Sequence, residues 1–173
     1  IHYVFKLAPG TYRGAVSITH TNQYQSVSVI GSGAGCTFLD TAADWSSQLT
    51  SNVLYLRNFN DIEVQGITFT RGAYGLYLRH CKSATVTNCN FEKLGSKGTV
   101  SQHDQSQNQA SQAAYWASNF SSDGGAARIR EVNTVQFNDN SISYCLRGAR
   151  FQDCGETSTA SMISGNKVYR TLE

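Results

Sequence analysis

The chain has 173 residues, of which 15% are charged, and a formal net charge of +2 at pH 7. This length suits a single domain over residues 1–173 with a sizeable core. The small net charge gives no overall attraction to polyanions, which argues against nucleic-acid binding. No apolar run is long enough to span a membrane.

The sequence begins with Ile1 rather than Met, and we expect it to be part of a longer chain. Its five cysteines are Cys36, Cys81, Cys89, Cys145 and Cys154. They form no CxxC pair and no short Cys/His cluster, so we expect small buried thiols rather than disulfides or a zinc site. The sequence predicts no metal site and no cofactor.

Four copies of a repeat of about 22 residues follow an opening segment, residues 1–39. The copies are 54–69 (LYLRNFNDIEVQGITF), 76–91 (LYLRHCKSATVTNCNF), 127–142 (ARIREVNTVQFNDNSI), and 149–154 (ARFQDC) closing with 163–168 (ISGNKV). Apolar and polar positions alternate within each copy, which is typical of strands with one buried face. A repeat of this length predicts a solenoid.

Alignment of the copies predicts columns of stacked side chains. Two apolar columns contain Leu56, Leu78, Ile129 and Phe151, and Val64, Val86, Phe137 and Ile163. A third column, Gly66, Asn88, Asp139 and Gly165, suits a left-handed turn. We expect Asn140 and Asn166 to bond the backbone of neighbouring copies inside the core. Further core predictions are Ile62, Phe69, Phe91 and Ile142.

These features predict an all-β fold, a right-handed parallel β-helix with rungs of about 22 residues and two loop insertions at one corner. The insertions are 40–53 and 92–126. A leucine-rich-repeat solenoid is disfavoured because the chain lacks a recurrent leucine consensus.

The first third of the chain also carries a family resemblance. Residues 9–12 (PGTY), 16–18 (VSI) and 27–37 (VSVIGSGAGCT) resemble the opening rungs of the pectate lyase-like superfamily. That superfamily includes polysaccharide lyases and hydrolases and phage tailspikes, so the resemblance implies a polysaccharide-handling protein that is extracellular or on a virion surface. Neither the paired aspartates of polygalacturonases nor the calcium-site aspartate cluster of the lyases is present.

The two insertions carry the two tryptophans, Trp45 and Trp116, and the short turn between them carries Arg71 and Tyr74. The insertions lie two rungs apart, roughly 10 Å at strand spacing. Aromatic walls above a low floor suit carbohydrate stacking, so these four residues are candidate substrate-binding residues. The alternative is that each tryptophan covers its own rung or a neighbouring subunit.

Outward positions of the next strand stack as well. One column contains Tyr55, Tyr77, Arg128 and Arg150, and the adjacent column contains Arg57, Arg79, Arg130 and Gln152. Stacked like charges repel by about 1 kcal/mol per pair in water, so these arginines indicate an anionic partner. Guanidinium groups bind carboxylates bidentately, which predicts an anionic polysaccharide as substrate. The alternative partner is another subunit, with this surface as the interface of a homotrimer.

The following column contains Asn58, His80, Glu131 and Asp153. Glu131 and Asp153 on adjacent rungs are candidates for the acid and the nucleophile that cleave a glycosidic bond, with one of the two pKa values raised. His80 is a candidate proton shuttle. The alternative interpretation is that these are ordinary polar turn residues.

The sequence thus predicts a carbohydrate-recognising β-helix of a phage tailspike-like or secreted polysaccharide-degrading protein. If it is an enzyme, it is a glycoside hydrolase or lyase. The alternative is a non-catalytic structural or adhesin shaft.

Overall fold

The computed structural model describes residues 1–21, 25–41, 51–95, 124–155 and 161–169, which form strands and turns and no helix. The strands are β1 (His2–Lys6), β2 (Gly10–Arg13), β3 (Val16–Thr19), β4 (Ser26–Ile30), β5 (Thr37–Asp40), β6 (Leu54–Gln65), β7 (Thr68–Thr70), β8 (Tyr74–Thr87), β9 (Asn90–Glu92), β10 (Gly125–Asn138), β11 (Ser141–Ser143), β12 (Ala149–Gln152), β13 (Met162–Ser164) and β14 (Lys167–Tyr169).

These strands form two parallel sheets. The eight-stranded sheet has the order β1-β4-β6-β8-β10-β12, with β13 beside β10 and β3 beside β6. The six-stranded sheet has the order β14-β11-β9-β7-β5-β2. From β6 to β11 the chain alternates between a long strand of the first sheet and a short strand of the second. The predicted all-β architecture with parallel strands is confirmed.

The copies of the repeat lie in register. Leu56 pairs with Leu78, Leu78 with Ile129, and Ile129 with Phe151. The second predicted column, from Val64 through Val86 and Phe137 to Ile163, is also confirmed. Its last member is 57% exposed, because β13 lies at the outer edge of the sheet.

One continuous core fills the space between the sheets. The predicted core residues are each at most 2% exposed: Ile62, Val64, Phe69, Val86, Phe91, Phe137 and Ile142. The ring centroids of Phe69 and Phe91 lie 5.1 Å apart, and those of Phe91 and Phe137 lie 5.9 Å apart. Full burial of one such side chain stabilises the fold by about 1.5–3 kcal/mol.

Three columns of left-handed residues turn the chain at matching points of successive copies, and one of them comprises Arg71, Lys93 and Tyr144, with φ angles from 53° to 57°. The predicted column is confirmed by φ angles of 65° at Gly66, 52° at Asn88, 56° at Asp139 and 65° at Gly165. A second column has φ angles from 53° to 62° and comprises Asn58, His80, Glu131 and Asp153. The pairing of β6 with β8 and of β8 with β10 skips this second column, and it also skips Asn60, Lys82 and Asn133 two residues later.

Two asparagines form the predicted polar column: Asn140 is buried in the core, and Asn166 is half-buried at its end. Asn140 donates from Nδ2 to the Val86 carbonyl (3.1 Å) and accepts from the Cys89 amide (3.0 Å). Asn166 donates to the Phe137 carbonyl (2.7 Å) and accepts from the backbone and side-chain nitrogens of Asn140. The amide groups therefore connect successive copies where burial would otherwise leave backbone groups unpaired.

Asn140→Ala is expected to lower the free energy of unfolding by roughly 2–4 kcal/mol, since it leaves buried backbone groups of Val86 and Cys89 unpaired. Urea denaturation measures the change. Asn90→Ala is the matched control, because Asn90 is only half-buried, and its effect should stay within about 0.5 kcal/mol. Equal effects of the two substitutions would contradict the assignment.

All five cysteines are free thiols, but they are not equally buried. Burial raises the pKa values of Cys81, Cys89 and Cys145 to about 12. The prediction of burial is wrong for Cys36, which is exposed in the turn before β5. Cys154 is only half-buried, since it follows the edge strand β12.

Native thiol titration at pH 8 should show Cys36 reacting rapidly while Cys81, Cys89 and Cys145 stay protected. A thiol with a pKa of about 12 carries a thiolate in about one molecule in ten thousand at that pH, and the thiolate is the nucleophile. Cys36→Ser should remove the rapid phase. A rapid phase that survives this substitution at full amplitude would show that another thiol is accessible.

Candidate functional site

Parallel register brings the predicted outward residues together on one surface. Tyr55 lies beside Tyr77, which lies beside Arg128, and Arg57 lies beside Arg79, which lies beside Arg130. We call these six residues the Tyr/Arg stripe. Their strands β6, β8 and β10 are neighbours in the sheet, so the stripe crosses the strands rather than following one of them.

Aromatic rings and a guanidinium group pack against one another in the stripe. The ring centroids of Tyr55 and Tyr77 are 5.0 Å apart, and Cζ of Arg128 lies 5.3 Å from the Tyr77 ring centroid. Cation–π contacts of this kind stabilise by about 0.5–1 kcal/mol at exposed sites. Tyr74 packs on Tyr77 with ring centroids 6.2 Å apart, but it is only 3% exposed. Tyr74 therefore supports the stripe from within the protein and offers little surface of its own.

The other residues predicted to form a groove are arranged differently. Arg71 donates from Nε to Oδ1 of the buried Asp40 (2.7 Å), and its Nη2 contacts Oδ2 of the same carboxylate. This bidentate ion pair already occupies the guanidinium group. Trp45 and Trp116 lie outside the described residues, so the groove that they were predicted to flank stays a prediction.

Glu131 is the centre of an ion-pair network. Its carboxylate accepts from Arg79 at 3.2 Å (Nε) and 3.5 Å (Nη2), and Nε of Arg130 lies 2.9 Å from Oε1. Nε2 of His80 also contacts Oε2. The hydrogen bonds from Arg79 are the main cause that lowers the pKa of Glu131. We predicted one raised pKa for the pair with Asp153, and Glu131 does not meet that prediction.

The lowered pKa keeps Glu131 ionised. An ionised carboxylate suits a base, a nucleophile or a structural counter-ion better than a general acid. Asp153 lies at the edge of this network, with Oδ2 3.7 Å from Nε of Arg130 and its side chain 55% exposed. The two carboxylates therefore share Arg130 as a neighbour.

The imidazole of His80 lies between opposing electrostatic influences. Burial lowers its pKa most, Glu131 raises it, and Arg79, Arg57 and Arg130 each lower it further. The net effect is a pKa below the ordinary value, so His80 is mainly neutral at pH 7.

Arg57 differs from the other two arginines of its column. No acid among the described residues forms an ion pair with it, whereas Arg79 and Arg130 both pair with Glu131. The buried Nε atoms of Arg57 and Arg130 both lack a hydrogen bond there, but only Arg130 has a carboxylate beside it. The residue after Arg57 is Asn58 rather than an acid, and its Nδ2 donates to the His20 carbonyl (3.0 Å). Within this column of three arginines, the positive charge is therefore least compensated at Arg57.

A polar cavity of about 630 Å³ adjoins this network. Its lining residues are Thr21, Asn58, Asn60, His80, Cys81, Lys82, Glu131 and Asn133. We did not predict Asn60, Lys82 and Asn133 as site residues, although each follows a stripe arginine by three positions and the alignment of copies already puts them in one column. Their amides and ammonium group can bond hydroxyl or carboxylate oxygens.

Comparison with protein-family models, curated proteins and solved structures finds no match to this chain. Across the described ranges, no helix is long and apolar enough to cross a membrane. Within the same ranges, no cluster of three or more His, Cys, Asp or Glu side chains is arranged to hold a metal ion.

Glu131→Gln is expected to lower the pKa of His80 further. The substitution removes the carboxylate that raises this pKa and leaves burial and three arginines, all of which lower it. Histidine NMR signals followed against pH measure the change, and the His80 signal is assigned by its loss in His80→Asn. Asp153→Asn should leave the titration unchanged. An unchanged or higher pKa of His80 in Glu131→Gln would refute the network as described.

Proposed function

We propose that this chain is a right-handed parallel β-helix of the pectate lyase-like type that binds an anionic polysaccharide outside the cell or on a virion surface. The polysaccharide lies along the Tyr/Arg stripe and the adjoining cavity. The observation that carries the proposal is the stacking of four arginines and two tyrosines on one surface, where Glu131 pairs with only two of the arginines.

The fold part of this proposal rests on periodicity. A repeat of about 22 residues, strands alternating between two parallel sheets, and left-handed residues at matching positions are the features that a solenoid of stacked rungs requires. The resemblance of residues 9–37 to the opening rungs of the pectate lyase-like superfamily adds the handedness and the link to polysaccharides.

The charge and the side-chain types of the stripe support an anionic polysaccharide as the ligand. Adjacent strands lie about 4.8 Å apart, so stacked guanidinium groups repel one another unless anions lie between them. Glu131 compensates Arg79 and Arg130 but not Arg57. Carboxylates along a polymer supply repeated negative charge, the tyrosine rings suit the apolar faces of sugars, and the asparagines of the cavity suit their hydroxyl groups.

Cleavage of the polymer is a further step of the same proposal. If the site is catalytic, the ionised Glu131 acts as base or nucleophile, and His80 or Asp153 supplies or accepts a proton. The reaction class is then that of a glycoside hydrolase or a lyase. Release of reducing ends from acidic polysaccharides, together with the ultraviolet absorbance of unsaturated products, distinguishes hydrolase, lyase and non-cleaving binder.

Tyr77→Ala is expected to weaken binding to the preferred acidic polysaccharide by at least about tenfold, because it removes the ring at the centre of the stripe. Affinity electrophoresis on a panel of acidic polysaccharides measures the loss. Tyr12→Ala, in β2 of the other sheet, is the matched control and should bind like the wild type.

Two outcomes would contradict the proposal. The first is full affinity in Tyr77→Ala. The second is an oligomer that dissociates in Tyr77→Ala, by sedimentation velocity, while binding is retained. That result would assign the stripe to a subunit interface of a structural shaft.

A further inference from the structure

We propose that Arg57 is the residue that recognises the sugar carboxylate, while Arg79 and Arg130 are held by Glu131 and position the site. This inference rests on the proposed function and identifies the subsite within it that selects for charge. Its substrate class is a polymer of sugars that carry carboxylates, such as uronic or sialic acids.

The positive charges of Arg79 and Arg130 are compensated by Glu131, whereas that of Arg57 is not. Arg79 directs Nε and Nη2 at the two oxygens of Glu131, and Arg130 places Nε 2.9 Å from the same carboxylate. A ligand carboxylate would compete with Glu131 for either group. Arg57 has no such competitor among the described residues, so an incoming carboxylate meets an uncompensated charge there.

The residue types at equivalent positions of successive copies explain why Arg57 has no acid beside it among the described residues. Glu131 follows β10 residue Arg130 and compensates Arg79 on the preceding copy. The equivalent position one copy earlier is occupied by His80, on the strand beside Arg57. A carboxylate at that position would have compensated the positive charge of Arg57, but the neutral imidazole of His80 carries no negative charge.

Arg57 is half-buried, and its Nε, like those of Arg128 and Arg130, is buried without a hydrogen bond to the described residues. Arg130 nevertheless has the Glu131 carboxylate 2.9 Å away, and Arg128 donates through Nη2 to Gln152. Buried donors are normally paired, and among these three arginines Arg57 is the one with no acceptor side chain among the described residues. A carboxylate fits the fork of the guanidinium group because its two oxygens can accept from two nitrogens at once.

Arg57 has aromatic side chains on one side and amide side chains on the other. Tyr55 precedes it by two residues on the same outward face and stacks on Tyr77. On the other side, Asn58 and Asn60 line the polar cavity. Arg57 therefore lies between an aromatic surface that suits a sugar ring and amides that suit its hydroxyl groups. A sugar bound across both would bring its carboxylate to the guanidinium group.

The test compares matched polymers: polygalacturonate, polyguluronate, polyglucuronate and polysialic acid, each beside its carboxyl-reduced form. We expect the wild type to prefer at least one carboxylated polymer by about tenfold or more, the difference made by a charge-assisted pair. Arg57→Gln should remove the preference and retain the weaker affinity for the reduced polymer. Arg13→Gln removes the same charge from the other sheet and should keep the preference.

Two further measurements keep the test decisive. Arg57→Lys retains the charge without the fork and should recover only part of the preference, even if Arg57→Gln does not fold. In the wild type, the carboxylated polymer should raise the pKa of His80, because it brings an anion close to the imidazole, and the reduced polymer should leave it unchanged. Thermal unfolding checks that each variant is folded.

The possible failures are distinguishable. If the wild type binds no polymer of the panel, the proposed function is overturned together with this inference. If it binds both members of a pair equally, carboxylate recognition is overturned and polysaccharide binding is retained. If Arg57→Gln keeps the preference and Arg79→Gln or Arg130→Gln loses it, the carboxylate is recognised next to Glu131 and the assignment to Arg57 is wrong.

Discussion

Parallel, in-register hydrogen bonding is the constraint on which the rest of this structure depends. It places equivalent positions of successive copies on neighbouring strands, so a residue type that recurs in the repeat lies beside its own kind. For apolar positions the consequence is favourable: Phe69 stacks on its equivalent Phe91, and Phe137 from the other sheet packs against Phe91 and continues the stack of rings. For charged positions the same register brings like charges together. The chemistry of the outer surface follows from how that repulsion is relieved.

Polar columns in this protein are stabilised in two ways. Inside the core, Asn140 and Asn166 are neutral and carry both donors and acceptors, so each satisfies the backbone of its neighbours. On the surface, Arg57, Arg79 and Arg130 carry donors only and must find acceptors elsewhere. Glu131 provides them for two of the three. The hydrogen bonds of the inner column are satisfied within the protein, whereas Arg57 in the outer column lacks an acidic partner among the described residues. An unpaired charge at a surface is a feature of binding sites.

The sequence was sufficient to predict whatever depends on register alone. The two apolar columns, the left-handed turn at Gly66, Asn88, Asp139 and Gly165, and the asparagine column all follow from aligning the copies. It was insufficient for contacts that depend on side-chain direction. The alignment shows Glu131 after Arg130 and His80 after Arg79, but the contact of Glu131 with both Arg79 and Arg130 depends on side-chain rotamers. Arg71 and Asp40 pair although they lie 31 positions apart in the chain, and the alternation of apolar and polar residues does not show that Tyr74 is buried beneath Tyr77 and Arg128.

Backbone conformation and charge coincide in the column that contains His80 and Glu131. Both residues adopt φ angles near 55° (54° and 57°), a conformation that asparagine and glycine tolerate better and that costs other residues about 1–2 kcal/mol. Asn58 and Asp153 occupy the same column with the residue types that such a turn favours. The left-handed conformation does not restrict the residue type in this protein, since Arg71, Lys93 and Tyr144 adopt it as well. The distinguishing feature of His80 and Glu131 is their electrostatics. Glu131 pairs with Arg79 and Arg130, and His80 contacts Glu131, so this column contributes to the charge of the outer surface as well as to the turn.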